Sequence, residues 1–219
     1  MFDVWTSTQL TGFIFASIVI ILTPGPDCLF LINQSLQRGR YQALLTAWGL
    51  SVGNCFHTLL AATGVSAMIL ASPVMFTAIR LLGVGYLLLL AYRIIFVTTA
   101  ANPSPTDQHA HQPSYFNHRY TAFLQGLVMN MVNIKVAIFF IAYLPQFVVL
   151  SEPHSTADIG MQILFLGLIF TFCVVVIFSA VGLLAGSISD IKHLDIQSSP
   201  ALRVCFGGVY IFIALQLLL

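Results

Sequence analysis

Two stretches of the chain, Ile163–Val181 and Val204–Leu219, run almost without interruption through apolar side chains and carry no charge. About 20 such residues in a helix cross the ~30 Å hydrocarbon core of a bilayer. The rest of the sequence has the same character. Of its 219 residues 58% are hydrophobic and only 7% charged, where a soluble domain carries about 25% charged residues. Eight Lys+Arg and seven Asp+Glu could not cover a globule of this size with polar surface, so a water-soluble fold is excluded. The formal net charge of +1 lacks the basic excess of a nucleic-acid binder, and no nucleic-acid partner is expected.

Backbone polar groups cannot stay unpaired in hydrocarbon, which leaves helices or a closed barrel. Barrel strands alternate apolar and polar residues over about 10 positions, and these continuous runs do not alternate. The expected fold is therefore all-α, with transmembrane helices at about 8–34, 42–69, 74–97, 120–148, 158–186 and 200–219. The first lacks the basic start and small-residue cleavage site of a signal peptide and reads as a retained span. Residues 100–119 hold Pro103, Pro105, Pro113 and three histidines, and read as a polar linker between a first half (1–99) and a second half (120–219) of three helices each.

Lys and Arg mark the cytoplasmic side. Arg38, Arg40, Arg93, Arg119, Lys192 and Arg203 fall at one set of helix ends, and only Arg80 near the other, beside acidic Asp3, Glu152 and Asp158. That bias places the linker in the cytoplasm and both termini outside. Three helices per half is an odd number, so related halves would enter the membrane inverted, an architecture of secondary transporters with the binding site near the midplane.

A charge at membrane depth costs about 2.5–3.5 kcal/mol on insertion scales and is a functional candidate by default. Asp27 follows Thr23-Pro24-Gly25-Pro26, where two prolines and a glycine interrupt the first span. Leu10–Leu36 as one helix would measure about 40 Å, so this break lies inside the membrane. Asp27 there is either functional or simply an N-cap. Lys135 lies midway along the fourth span, in Asn130-Met131-Val132-Asn133-Ile134-Lys135, at the position in the second half that corresponds to Asp27 in the first. A pair between them would neutralise both charges.

These residues carry a resemblance. Thr23-Pro24-Gly25-Pro26-Asp27, the run Gln34 to Arg40, Trp48 to His57, Phe123 to Leu127, Asn133-Ile134-Lys135 and Leu144-Pro145-Gln146-Phe147 resemble the LysE/RhtB family of bacterial amino-acid exporters along the whole chain. The resemblance implies a six-helix inner-membrane protein that exports amino acids or related metabolites, driven by proton exchange. It departs at Ile134, where the family usually has proline, and that departure implies a gentler break in the fourth span.

Other polar residues have two readings each. Asn54 and His57 share one face of the second span, as a polar lining or an interhelical hydrogen-bonding pair. Gln34 lies two turns beyond Asp27, on the pathway or at the end of the span. Asn130 and Asn133 flank the fourth-span break as further candidates for substrate or proton binding. Gly49/Gly53, Gly182/Gly186 and Gly207-Gly208 suit close helix packing. His109, His111 and His118 read as solvated linker rather than a metal site, and the four cysteines as buried core thiols. GxSxG, HExxH and Walker motifs are missing, so neither an enzyme nor a cofactor is expected. The reading is a proton-coupled amino-acid exporter, compatible with a homodimer. The alternatives are a passive channel and a non-transporting membrane scaffold.

Overall fold

The computed structural model describes residues 5–23, 25–96, 118–149, 156–185 and 200–218, and these contain helices and no strand. Pro24, Asp3, Glu152, Lys192 and nearly all of the 100–119 linker lie outside the described residues, as do the side chains of Arg119 and Arg203.

Helix α1 (Ser7–Leu22) starts at a capping box in which Thr6 and Gln9 each accept the other's backbone N–H. It stops at Thr23, whose backbone is extended. Gly25 is extended too, and α2 (Pro26–Arg38) then begins with proline at its first position, where no backbone donor is needed. The two axes differ by 57°. Gly39, at φ +85°, turns the chain between exposed Arg38 and Arg40 into α3 (Arg40–Leu60). Other residues rarely adopt that left-handed conformation.

A π-helical turn, Ala61–Val65, joins α3 to α4 (Ser66–Ala71), and α5 spans Pro73–Phe96. In the second half, α6 (His118–Met131) breaks before α7 (Ile134–Ile138), which continues through a π turn (Phe139–Tyr143) and a 3₁₀ turn (Leu144–Phe147). This break bends the chain by 49°. It is somewhat gentler than the first, as the Ile134 departure implies, but it remains a break. Asn133 supplies what proline does not. Its backbone is extended and its side chain accepts from the Lys135 N–H at 3.0 Å, capping α7. Helices α8 (Thr156–Ala185) and α9 (Pro200–Leu218) complete the chain.

By length and composition, three helices cross a bilayer alone: Arg40–Ala71, Val74–Phe96 and Thr156–Ala185. Counting each bent pair as one span gives five. The described apolar part of α9, Gly207–Leu218, is shorter than a full crossing.

Helix α3 forms the centre, packed along α6 on one side and α8 on the other, while α5 pairs with α9. Small residues set these distances. A Cβ on Gly49 would fall 2.9 Å from the Leu127 backbone nitrogen, and one on Gly126 would fall 3.1 Å from that of Leu50. The two backbones therefore touch, as in membrane helix pairs generally. Buried hydroxyls settle locally: Ser17, Ser51 and Thr58 donate to the carbonyl four residues earlier. Large apolar side chains such as Val74, Leu82 and Phe172 point outward, as a lipid-facing surface requires. The cysteines differ from expectation. Cys28, Cys55 and Cys173 are half-buried and Cys205 is exposed, since their helices turn those positions toward the periphery and a thiol is apolar enough to stand there.

Candidate functional site at the two helix breaks

The breaks meet in the interior. The Lys135 ammonium donates to Asp27 Oδ1 at 3.1 Å and to the Thr23 carbonyl at 3.2 Å. Both charged residues are almost wholly buried, at 4% and 3% exposure. Asp27 sits in the first turn of α2, where free N–H groups favour a negative charge. Lys135 sits in the first turn of α7, the wrong end of its own helix for a cation. Two acceptors offset this: the Asp27 carboxylate, and the Thr23 carbonyl that closes α1 at its partially negative end. Gly25 makes room, because a Cβ there would lie 2.8 Å from both Asp27 Oδ1 and Lys135 Nζ.

A second group of polar side chains adjoins the pair. Asn130 Nδ2 donates to Asn54 Oδ1 at 3.1 Å, both residues being 1% exposed. The Asn130 carbonyl accepts from Asn133 N at 2.9 Å, and His57 Nε2 lies 3.1 Å from it, placing the ring proton on that nitrogen. The His57 ring also stacks on Phe140, with centroids 5.9 Å apart. Asn54 Nδ2, Asn130 Oδ1 and Asn133 Nδ2 are buried without a partner.

Asp27, Lys135, Asn54 and Asn130 line one cavity, with Ile20 and Ile21 of α1, Val136 of α7, Phe139 of the π turn that follows it, and Phe170, Val174 and Phe178 of α8 forming its apolar walls. Its free volume is about 10 Å³, room for roughly one water. Its wall continues into an aromatic cluster: Phe139 stacks on Phe170 at 4.4 Å and lies 6.3 Å from Phe13, which packs edge-on to Phe147 at 5.1 Å. Toward the far end of α2, Ser35 Oγ donates to the Gly182 carbonyl at 2.5 Å. Gln34 also lies there, paired with Gln125 at 3.0 Å and not on the cavity wall.

Four of the sequence candidates thus converge on the cavity, His57 and Asn133 support it from behind, and Gln34 stands apart. The sequence reading missed the Thr23 carbonyl, the wall of Phe139, Phe170 and Phe178, and the Gln125 partner. Only Gln125 left a trace, as a polar residue in an apolar run beside Gly126. Among the described residues no His, Cys, Asp and Glu side chains cluster to hold a metal.

A family described as LysE type translocator matches residues 18–219. The chain belongs to that family. Leucine efflux proteins of Salmonella typhimurium (strain LT2) and Salmonella typhi are each 32% identical to this family member over 149 residues, 68% of this chain and 65% of theirs. The chain thus spans just under two thirds of the length of those relatives. The uncharacterized membrane protein YrhP of Bacillus subtilis is 28% identical over 172 residues, 78% of this chain and 80% of its own. No solved structure matches this LysE-type chain. It is a multi-pass membrane protein of a translocator family.

Proposed function

We propose that the protein is a secondary transporter that exports amino acids across the bacterial inner membrane in exchange for protons. The observation that carries this reading is the buried Lys135–Asp27 contact at the meeting of two interrupted helices. Removing two charges from water is favourable only where each has a partner. A zwitterionic amino acid offers one partner to each: Asp27 takes its ammonium and Lys135 its carboxylate, so no charge is left alone when the internal pair opens. Asp27 is also the group that takes up the coupling proton once the cargo has left. The names of the Salmonella relatives support an amino acid as cargo.

A cavity with about 10 Å³ of free volume is too small for any amino acid, so cargo enters only when the helices part. The breaks are the hinges for that motion, as discontinuous helices are in other carriers. In this reading α9 is the sixth span and residues 1–99 and 120–219 are inverted three-helix halves. The linker at 100–119 lies in the cytoplasm and both termini in the periplasm. Two features support the inversion: each half begins with a broken helix, and each break places its charged residue at the second position of the following helix.

The test is counterflow in proteoliposomes against a panel of amino acids, with and without a pH gradient, for the wild type and Asp27→Asn. Saturable, gradient-dependent counterflow lost in Asp27→Asn is expected. Unsaturable flux indifferent to the gradient would indicate a channel. No flux in any condition would indicate a scaffold.

A further inference from the structure

The hydrogen bond between Asn54 and Asn130 uses one end of each carboxamide and leaves the other ends, Asn54 Nδ2 and Asn130 Oδ1, buried without a partner on the same cavity as Asp27 and Lys135. Buried polar atoms are normally satisfied, and exceptions in a cavity mark a place for a ligand atom. The result does not depend on how the two amides are oriented. If both are flipped, Asn54 donates to Asn130, and the spare groups become Asn54 Oδ1 and Asn130 Nδ2. Either way, one spare donor and one spare acceptor remain on residues that line the cavity.

We propose that Asn54 and Asn130 form an uncharged subsite that reads both backbone groups of a neutral α-amino acid, the free amide N–H donating to its carboxylate and the free amide oxygen accepting from its ammonium. The inference rests on the transport reading above and adds a requirement to it, that the cargo carry both groups unmodified. The carboxamides suit this role because Asn130 is held by contacts that do not involve the ion pair. Asn130 is wedged against Gly53, where a Cβ would come within 2.6 Å of its side chain, and its carbonyl is held by His57 and Asn133. His57 is accordingly a positioning residue. The charged pair neutralises the cargo, and the amide pair fixes its orientation.

The experiment titrates the full-length protein in lipid nanodiscs with two probes: L-leucine, and L-leucinol, which keeps the ammonium but has a hydroxymethyl group in place of the carboxylate. Asn54→Asp retains the acceptor that Asn130 Nδ2 needs and replaces the free donor with an oxygen; Asn54→Leu removes both. A hydrogen bond to a charged group corresponds to about a 10- to 150-fold change in affinity. Both variants are therefore expected to weaken L-leucine binding at least tenfold. Asn54→Leu, which adds no charge, is expected to change binding of the cationic L-leucinol less than threefold, and the new carboxylate of Asn54→Asp to leave it unchanged or strengthen it. Unchanged L-leucine affinity, or an equal loss for both probes, would overturn the proposal and leave a hydrated structural pair. Magic-angle NMR of the wild type keeps the question decidable should the variants not fold. Bound L-leucine labelled with ¹³C at its carboxylate is expected to show dipolar contact with an asparagine side-chain ¹⁵N, and absence of that contact overturns the subsite. A wild type that binds and exports no amino acid defeats the transport reading, and this inference with it. A wild type that exports while Asn54→Asp keeps full affinity defeats the subsite alone.

Discussion

At the first break the chain leaves α1 through Thr23, passes extended through Gly25 and re-enters a helix at Pro26, with Asp27 next in line. At the second it leaves α6 after Met131, passes extended through Asn133 and re-enters at Ile134, with Lys135 next in line. The register is the same and the chemistry is not. The first break is made by backbone restriction, with proline at the helix start and a glycine that leaves room for the ion pair. The second is made by a side chain, since Asn133 caps α7 with its own carboxamide. The first also contributes an acceptor from its backbone, the Thr23 carbonyl, where the second contributes a cation. What the two share, an extended cap followed two residues later by a charge, is what the site needs; proline is one means of producing it.

The largest expected effect tests whether the charges serve stability or transport. Removing one partner of a buried pair typically costs about 3–5 kcal/mol. Asp27→Asn or Lys135→Met alone should therefore lower the thermal unfolding midpoint in detergent sharply. The double variant Asp27→Asn/Lys135→Met should recover most of that loss while remaining unable to transport, because neutral isosteres often replace a buried pair without destabilisation. A charge exchange, Asp27→Lys with Lys135→Asp, should likewise fold better than either single change. Purely additive damage would show that each charge has its own separate partner.

Next in size is the contrast between the two caps. Gly25→Ala drives a Cβ to 2.8 Å from both charged atoms, and overpacking of this kind costs about 1–3 kcal/mol. Asn133→Ala removes a single capping bond, worth about 1 kcal/mol. Gly25→Ala should also impair counterflow more than its stability loss explains, because it pushes the pair apart; Asn133→Ala should impair both in proportion. Equal behaviour of the two would mean that the breaks act only as hinges.

The sequence made the charged half of this comparison legible because a carboxylate or an ammonium in an apolar run stands out by cost alone. Asp27 and Lys135 are visible for that reason, and so is the prospect of a pair between them, which the structure forms at 3.1 Å. The Thr23 carbonyl was not legible, since every residue carries one and only the stop of α1 exposes it. Phe139, Phe170 and Phe178 were hidden for the opposite reason. Among 18 phenylalanines in a lipid-soluble chain, a wall residue has no compositional mark. The interior backbone contact of Gly49 was legible through the Gly49/Gly53 spacing, whereas its counterpart Gly126 pairs with the less conspicuous Ala122 four positions earlier and was passed over. The helical class followed from continuous apolarity, whereas the span count depends on whether a bent pair crosses once, which hydropathy does not encode.

The smallest effect sharpens the comparison most. Ile134 occupies the first position of α7, as Pro26 does in α2, and a first-position N–H needs no helical acceptor. Asn133, at φ −76° and ψ 104°, already lies near the extended conformation that a following proline imposes. The Ile134 side chain is 58% exposed, so its removal opens no cavity in the core. Ile134→Pro should thus be neutral or raise stability by about 0.4–1 kcal/mol through a stiffer unfolded chain, with counterflow unchanged. A drop of the unfolding midpoint by several degrees would show that the second break needs the Ile134 N–H, and that the two breaks differ in backbone bonding as well as in how they are capped.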